Sequence, residues 1–157
     1  MARRKRAYNK RLNPDPKYNS LLIAKLVNQI MLGGKKSVAE RIIYDAFDII
    51  NKKTNTDPLE VFDKALKNVG PSLEIKGRRI GGANYQIPYE VKGDRKNTLA
   101  FRWIIDSARG KKGKPMSIKL ADEIVEASKN QGVAVKKKED THRMAEANKA
   151  FAHFALR

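Results

Sequence analysis

The stretch Leu73-Glu74-Ile75-Lys76-Gly77-Arg78-Arg79-Ile80-Gly81-Gly82-Ala83-Asn84-Tyr85-Gln86-Ile87-Pro88-Tyr89-Glu90-Val91 is where the sequence changes period. Leu73 and Ile75 alternate with Glu74 and Lys76, and Tyr85, Ile87, Tyr89 and Val91 alternate with Gln86, Pro88 and Glu90. Apolar residues at every second position belong to strands, and glycines between two such runs supply a turn, so a two-stranded ribbon is predicted over about residues 72–91. Pro88 has no N–H to give to a ladder, which suits an edge strand, and both strands of a lone hairpin are edges. A lone hairpin is marginal in water, so a neighbouring element must support this one.

Helical spacing holds on both sides of the ribbon. After Ser20, a candidate N-cap, Leu22, Leu26 and Ile30 run parallel to Ile23, Val27 and Met31 until Gly33-Gly34. Ser37 and Glu40 stand at capping-box spacing ahead of Ile42, Ile43, Ala46, Phe47 and Ile50. Asp57-Pro58 opens a third helix with Leu59, Phe62, Ala65, Leu66 and Val69 on its buried face, and Gly70-Pro71 closes it. Beyond the ribbon, Leu99, Trp103, Ile104 and Ala108 run to Gly110, and after Ser117 the residues Leu120, Ala121, Ile124 and Val125 run to Asn130–Gly132. Val133 to Phe154 reads as a last helix with a loosely held end. The expected fold is mainly α: a single-domain bundle of about six helices (20–157) with a protruding two-stranded β-ribbon and a basic, extended N-terminal arm (1–19).

Charge decides the class of partner. The 157 residues hold 34 Lys and Arg against 17 Asp and Glu, a formal net charge of +17, which calls for a polyanion. Because 41% of residues are still hydrophobic, the cations sit on a foldable chain rather than a disordered tail. Met1-Ala2-Arg3-Arg4-Lys5-Arg6 lacks the apolar stretch of a secretory signal, and no run of roughly 18 apolar residues exists. The reading is therefore a soluble intracellular protein without a membrane partner. With no cysteine there is no disulfide, thiolate or Cys-based zinc site.

Catalytic chemistry finds little support. Gly34-Lys35-Lys36-Ser37 has the look of a phosphate loop, but the motif needs a glycine where Gln29 stands and a hydroxyl where Lys36 stands. His142 and His153 show no metal-ligand spacing with nearby carboxylates, so surface or packing roles are read for both and no cofactor or metal is expected. Trp103 fits a core position, with base stacking as the other reading.

The cations gather in patches: the arm (Arg3, Arg4, Lys5, Arg6, Lys10, Arg11), Lys35-Lys36, the ribbon (Lys76, Arg78, Arg79), Arg95-Lys96 with Arg102, the Arg109–Lys114 loop, and Lys136–Lys138 with Arg143. The first eleven residues of the arm could reach roughly 35 Å when extended. At the ribbon tip, two guanidiniums suited to phosphate oxygens stand beside glycines that let the backbone come close to RNA. The leading reading is a scaffold for structured RNA. A DNA-binding architectural module shares the charge, and an RNA-modifying enzyme would need an activated group that the sequence does not show.

Four blocks carry a family resemblance: Ser20 through Leu22, Leu26-Val27, Gly34-Lys35-Lys36, Ile42-Ile43 and Ala46; Arg78 to Pro88; Leu99 to Ile104; and Gly132 through Lys136–Asp140 and Met144 to His153. Over nearly its whole length the chain resembles the bacterial small-subunit ribosomal protein seven family. That resemblance implies a body of six helices with a protruding ribbon, in a non-enzymatic protein of the ribosome, cytoplasmic or organellar. It implies direct, early binding to small-subunit ribosomal RNA, nucleation of the subunit head, and a position near the exit tRNA site. By matching position, Arg78, Arg79, Gly81, Gly82, Asn84 and Tyr85 would be nearest tRNA or messenger. The arm cations, Lys35, Lys36, Lys76, Arg78, Arg79, Arg95, Arg102, Lys111, Lys112, Lys114, Lys136, Lys137, Lys138 and Arg143 would face ribosomal RNA. Small-subunit proteins nine and eleven are implied as neighbours, and no obligate homo-oligomer is expected. The ending Phe154-Ala155-Leu156-Arg157 departs from the family's usual aromatic-basic one.

Overall fold

A computed structural model describes residues 12–156; the arm cations Arg3, Arg4, Lys5, Arg6, Lys10 and Arg11 lie outside the described residues. The element order is α1 (Leu21–Ile30), α2 (Lys36–Thr54), α3 (Pro58–Val69), β1 (Leu73–Ile80), β2 (Ala83–Glu90), α4 (Asp94–Gly110), α5 (Met116–Ser128), α6 (Val133–Ala147) and a 3₁₀ helix (Lys149–Leu156). This is the mainly helical, ribbon-bearing fold the periodicities predict. By internal contacts the chain divides into two compact units, Met1–Glu40 and Arg41–Arg157.

In the first unit, residues ahead of α1 fold on the Asp15 side chain. Its buried carboxylate accepts from the backbone N–H of Lys17 and of Tyr18, both at 3.1 Å, and the Asn19 N–H reaches the Asp15 carbonyl at 2.7 Å. Asp organises a turn this way because its short side chain reaches amides two and three residues on. Ile23, Ala24, Leu26, Val27 and Ile30 form the buried stripe of α1. Gly33 and Gly34, both with positive φ, then turn the chain toward α2.

The second unit is built around rings. Phe47 and Phe62 lie 5.6 Å apart and tilted, and Phe62 stacks on Phe101 at 6.2 Å, all three fully buried. Ile43, Ile50, Ile104, Leu120 and Ile124 complete this core, and Trp103 joins it as a buried residue. The side chains therefore converge from α2, α3, α4 and α5, the apolar stripes read from spacing. Asp57 caps α3 by accepting from the Leu59 N–H at 3.0 Å, with Pro58 in the first turn.

The ribbon closes with Ile80 opposite Ala83, so Gly81 and Gly82 alone make the turn, both at positive φ. A two-residue hairpin turn of this hand is one that glycine adopts without steric cost. That register puts Leu73 opposite Glu90 and Ile75 opposite Pro88, whereas Tyr85 faces Arg78 and Ile87 faces Lys76. The apolar residues of the two strands thus lie on opposite faces, and both faces need cover at the base. Strand β1 packs on α6, and β2 packs on the 3₁₀ helix.

Some boundaries differ from the sequence reading. Ser37 lies inside α2, which begins at Lys36, so the capping-box spacing does not mark its start. Helix α5 begins at Met116 after Pro115, ahead of Ser117. The final helix breaks at Asn148, whose side-chain amide donates to the Met144 carbonyl at 2.8 Å, and the chain continues as the 3₁₀ helix against the ribbon. Helical propensity alone carries the pattern to Phe154; the tertiary contact with β2 redirects it.

Candidate nucleic-acid interface

The cations predicted as binding residues fall into three physical groups. In the first, the charge is engaged by acids or carbonyls of the protein itself, although the side chains of Lys76 and Arg95 stay about half exposed. Arg95, at the start of α4, donates from Nε and Nη2 to Glu74 Oε2 at 3.1 and 2.8 Å, while Lys76 Nζ sits 2.8 Å from Glu74 Oε1. Glu74 is a buried acid on a ribbon strand. Burial pushes its carboxyl up, but hydrogen bonds and charge from Lys76 and Arg95 outweigh that and hold it below the ordinary carboxylate range. Lys76 also lies over the Tyr89 ring, 5.0 Å from its centroid. The base of the ribbon is therefore fastened to α4 by a buried carboxylate between two cations.

Lys111 belongs to the same group. Its ammonium lies 2.7 Å from Glu123 Oε2 and 3.0 Å from Glu126 Oε2. Glu123 is fully buried, and its other oxygen accepts the Ala134 N–H at 2.9 Å, so a carboxylate from α5 caps the N-terminus of α6. Burial alone would lower the Lys111 pKa; the hydrogen bonds to Glu123 and Glu126 outweigh it and raise the group above its ordinary value. Lys138 likewise donates to the Asn68 carbonyl at 2.6 Å near the end of α3. Asn68 in turn donates its side-chain amide to the carbonyls of Ala127 and Ser128 at 2.9 and 3.0 Å, closing the end of α5.

A second group is loosely paired on the surface. Lys36 stands 3.7 Å from Glu40, Lys114 stands 3.8 Å from Asp122, and Arg143 stands 3.8 Å from Asp140. Exposed pairs of this kind are worth little and exchange readily for another anion.

The third group is exposed, and its side chains have no hydrogen-bond or ion-pair partner among the described residues: Lys35, Arg79, Arg102, Lys112, Lys136 and Lys137. They stand on the α1–α2 loop, the ribbon, α4, the α4–α5 loop and α6. Arg79 pairs across the ribbon with Asn84 beside the glycine turn, while Arg78 pairs with Tyr85 on the other face. Arg78 and Tyr85 are in contact with the 3₁₀ helix: Arg78 Nη1 donates to the Phe154 carbonyl at 3.2 Å, and the Tyr85 ring meets those of Phe151 and Phe154 in tilted contacts.

Sequence reading missed the anchoring residues Glu74, Glu123 and Asn68, because their partners lie far away along the chain. For Glu123 a signal existed: it shares the apolar phase of Leu120, Ala121, Ile124 and Ala127, where an acid survives only with a partner. His142, read as a surface or packing residue, accepts the Ser72 N–H on Nε2 at 3.1 Å, and so ties α6 to the start of the ribbon. Among the described residues no cluster of His, Asp or Glu could hold a metal ion, and no helix is long and apolar enough to cross a membrane.

Fold and surface together define a helical scaffold with a two-stranded ribbon and exposed cations dispersed over several elements. The profile of the family described as ribosomal protein S7p/S5e matches residues 2–149. The chain belongs to that family: it is a ribosomal protein, a structural constituent and not an enzyme. Among curated relatives, the small ribosomal subunit protein uS7 of Thermotoga maritima is 57% identical over 152 residues, covering 97% of this chain and 98% of its own. The protein of the same name from Moorella thermoacetica is 57% identical over 154 residues, with 98% and 99% covered. That of Mycoplasma capricolum is 58% identical over 152 residues, with 97% and 98% covered.

Proposed function

We propose that this protein is a constituent of the small subunit of the cytoplasmic ribosome that binds small-subunit ribosomal RNA directly and nucleates the folding of the subunit head. The observation that carries the reading is the set of exposed cations whose side chains have no partner among the described residues: Lys35 in the first unit, and Arg79, Arg102, Lys112, Lys136 and Lys137 over four elements of the second. Cations spaced over a folded frame meet phosphates that only a folded RNA brings to matching positions.

In this reading the basic arm ahead of the Asp15 turn contacts the RNA, and residues 20–157 act as one domain. Lys36, Lys114 and Arg143 exchange weak surface pairs for phosphates. Lys76, Arg95, Lys111 and Lys138 act by positioning their elements. The ribbon tip (Arg78, Arg79, Gly81, Gly82, Asn84, Tyr85) lies near exit-site tRNA and messenger, with small-subunit proteins nine and eleven as protein neighbours and no obligate pairing with a second copy.

The test compares binding of the full chain to a folded head-domain ribosomal RNA fragment and to duplex DNA of equal length across a salt series. Tighter binding to the RNA with a steeper salt dependence is expected. Equal affinities with equal slopes would overturn the reading in favour of an architectural DNA binder.

A further inference from the structure

Arg78 and Tyr85 face one another across the ribbon, and both are engaged by the 3₁₀ helix that follows α6. The Tyr85 ring lies 5.2 Å from Phe151 and 5.7 Å from Phe154, centroid to centroid. The Arg78 guanidinium donates to the Phe154 carbonyl at 3.2 Å. A ring against a flat side chain and an oxygen acceptor before a guanidinium are the two contacts an unpaired nucleotide makes with such a surface: base on ring, phosphate on fork.

Resting on the RNA-binding reading above, we infer that the segment Lys149–Leu156 occupies a nucleotide-binding face of the ribbon in the free protein and that single-stranded RNA displaces it. An unstacked base takes the place of Phe151 and Phe154 on Tyr85, and a phosphate oxygen takes the place of the Phe154 carbonyl on Arg78.

Two features make the segment displaceable. Its 3₁₀ conformation runs for eight residues, whereas such runs seldom exceed three or four because their hydrogen-bond geometry is poor. Its packing on β2 is also incomplete: an open cleft of about 430 Å³, lined by Leu73, Pro88, His142, Ala145 and Ala152, remains between the ribbon base, α6 and the segment. Asn148, with φ −97 and ψ 14, is the joint at which the segment leaves α6.

The experiment uses the full chain, a fluorescent single-stranded oligouridine as probe, and the folded head-domain RNA fragment as reference. Phe151→Ala with Phe154→Ala is expected to tighten oligouridine binding by roughly five-fold, the equivalent of freeing one stacking surface, and to leave reference binding unchanged. In the unsubstituted chain, backbone amides of 149–154 should lose hydrogen-exchange protection when oligouridine binds. Unchanged or weaker oligouridine binding by the double variant with reference binding intact, or protection retained in the bound state, overturns the inference alone. If the double variant unfolds, the exchange measurement on the unsubstituted chain decides. Failure of the unsubstituted chain to bind the reference fragment overturns the RNA-binding reading itself.

Discussion

Glu123 is an acid in the core of a strongly basic chain, and its two oxygens join Lys111 to the first turn of α6. Glu123→Ala leaves the Lys111 ammonium short of its buried partner and the Ala134 N–H uncapped, and should cost about 3 kcal/mol in a urea titration. A loss under about 1 kcal/mol would show that water replaces the carboxylate. Gly132 is bound to the same cluster: its φ is +96, and an added Cβ would stand 3.2 Å from Glu126 Cβ and 3.3 Å from Glu123 Oε1. His142 gives a second prediction. Burial, then the charges of Lys138 and Lys96, lower its pKa from the ordinary 6.5. A base whose folded pKa is depressed lends stability that is complete above 6.5 and fades as pH falls through the folded value. The melting temperature should therefore drop on acidification from 6.5 toward the folded value, and His142→Gln should flatten this part of the profile. At this scale the sequence was least informative: Lys111 and Lys138 look like any surface lysine until partners 12 and 70 residues away are in place.

Elements were far more legible. Each helix announced itself because burying one face requires an apolar residue every three or four positions, and the ribbon because two strands require one every second position. What periodicity does not carry is the second face. Glu74 occupies the polar phase of its strand and yet is buried, since Arg95, 21 residues on, neutralises it. Glu74→Gln should leave the helices intact and raise hydrogen exchange selectively in β1 and β2. Uniform loss of protection across α3 and α5 would mean that the ribbon base is part of the core's cooperative unit. The end of α6 was misread for a related reason, because propensity describes a segment in isolation and the rings of Phe151 and Phe154 found Tyr85.

For the molecule as a whole, charge pointed to the kind of partner that the family implies, but only as a sum; the structure divides that sum into cations engaged by the protein's own acids and carbonyls and cations whose side chains are unpaired among the described residues. The division is measurable. Arg79→Ala, Arg102→Ala and Lys136→Ala should each lower the slope of log affinity against log salt by about one where they meet a phosphate, with melting temperatures within about a degree or two of the parent. Lys111→Ala should do the reverse, lowering the melting temperature with little change in slope. If all four substitutions altered slope alike and left stability untouched, the division would fail. The paired Lys111 ammonium has one more consequence. An amine reacts with acylating reagents only after shedding its proton, and this one is partly buried and held in its protonated form by two carboxylates. Under brief treatment with an acylating reagent, Lys112 and Lys136 should be modified first and Lys111 among the last, so that mass spectrometry of the Lys111 peptide becomes a clock for the opening of the native state.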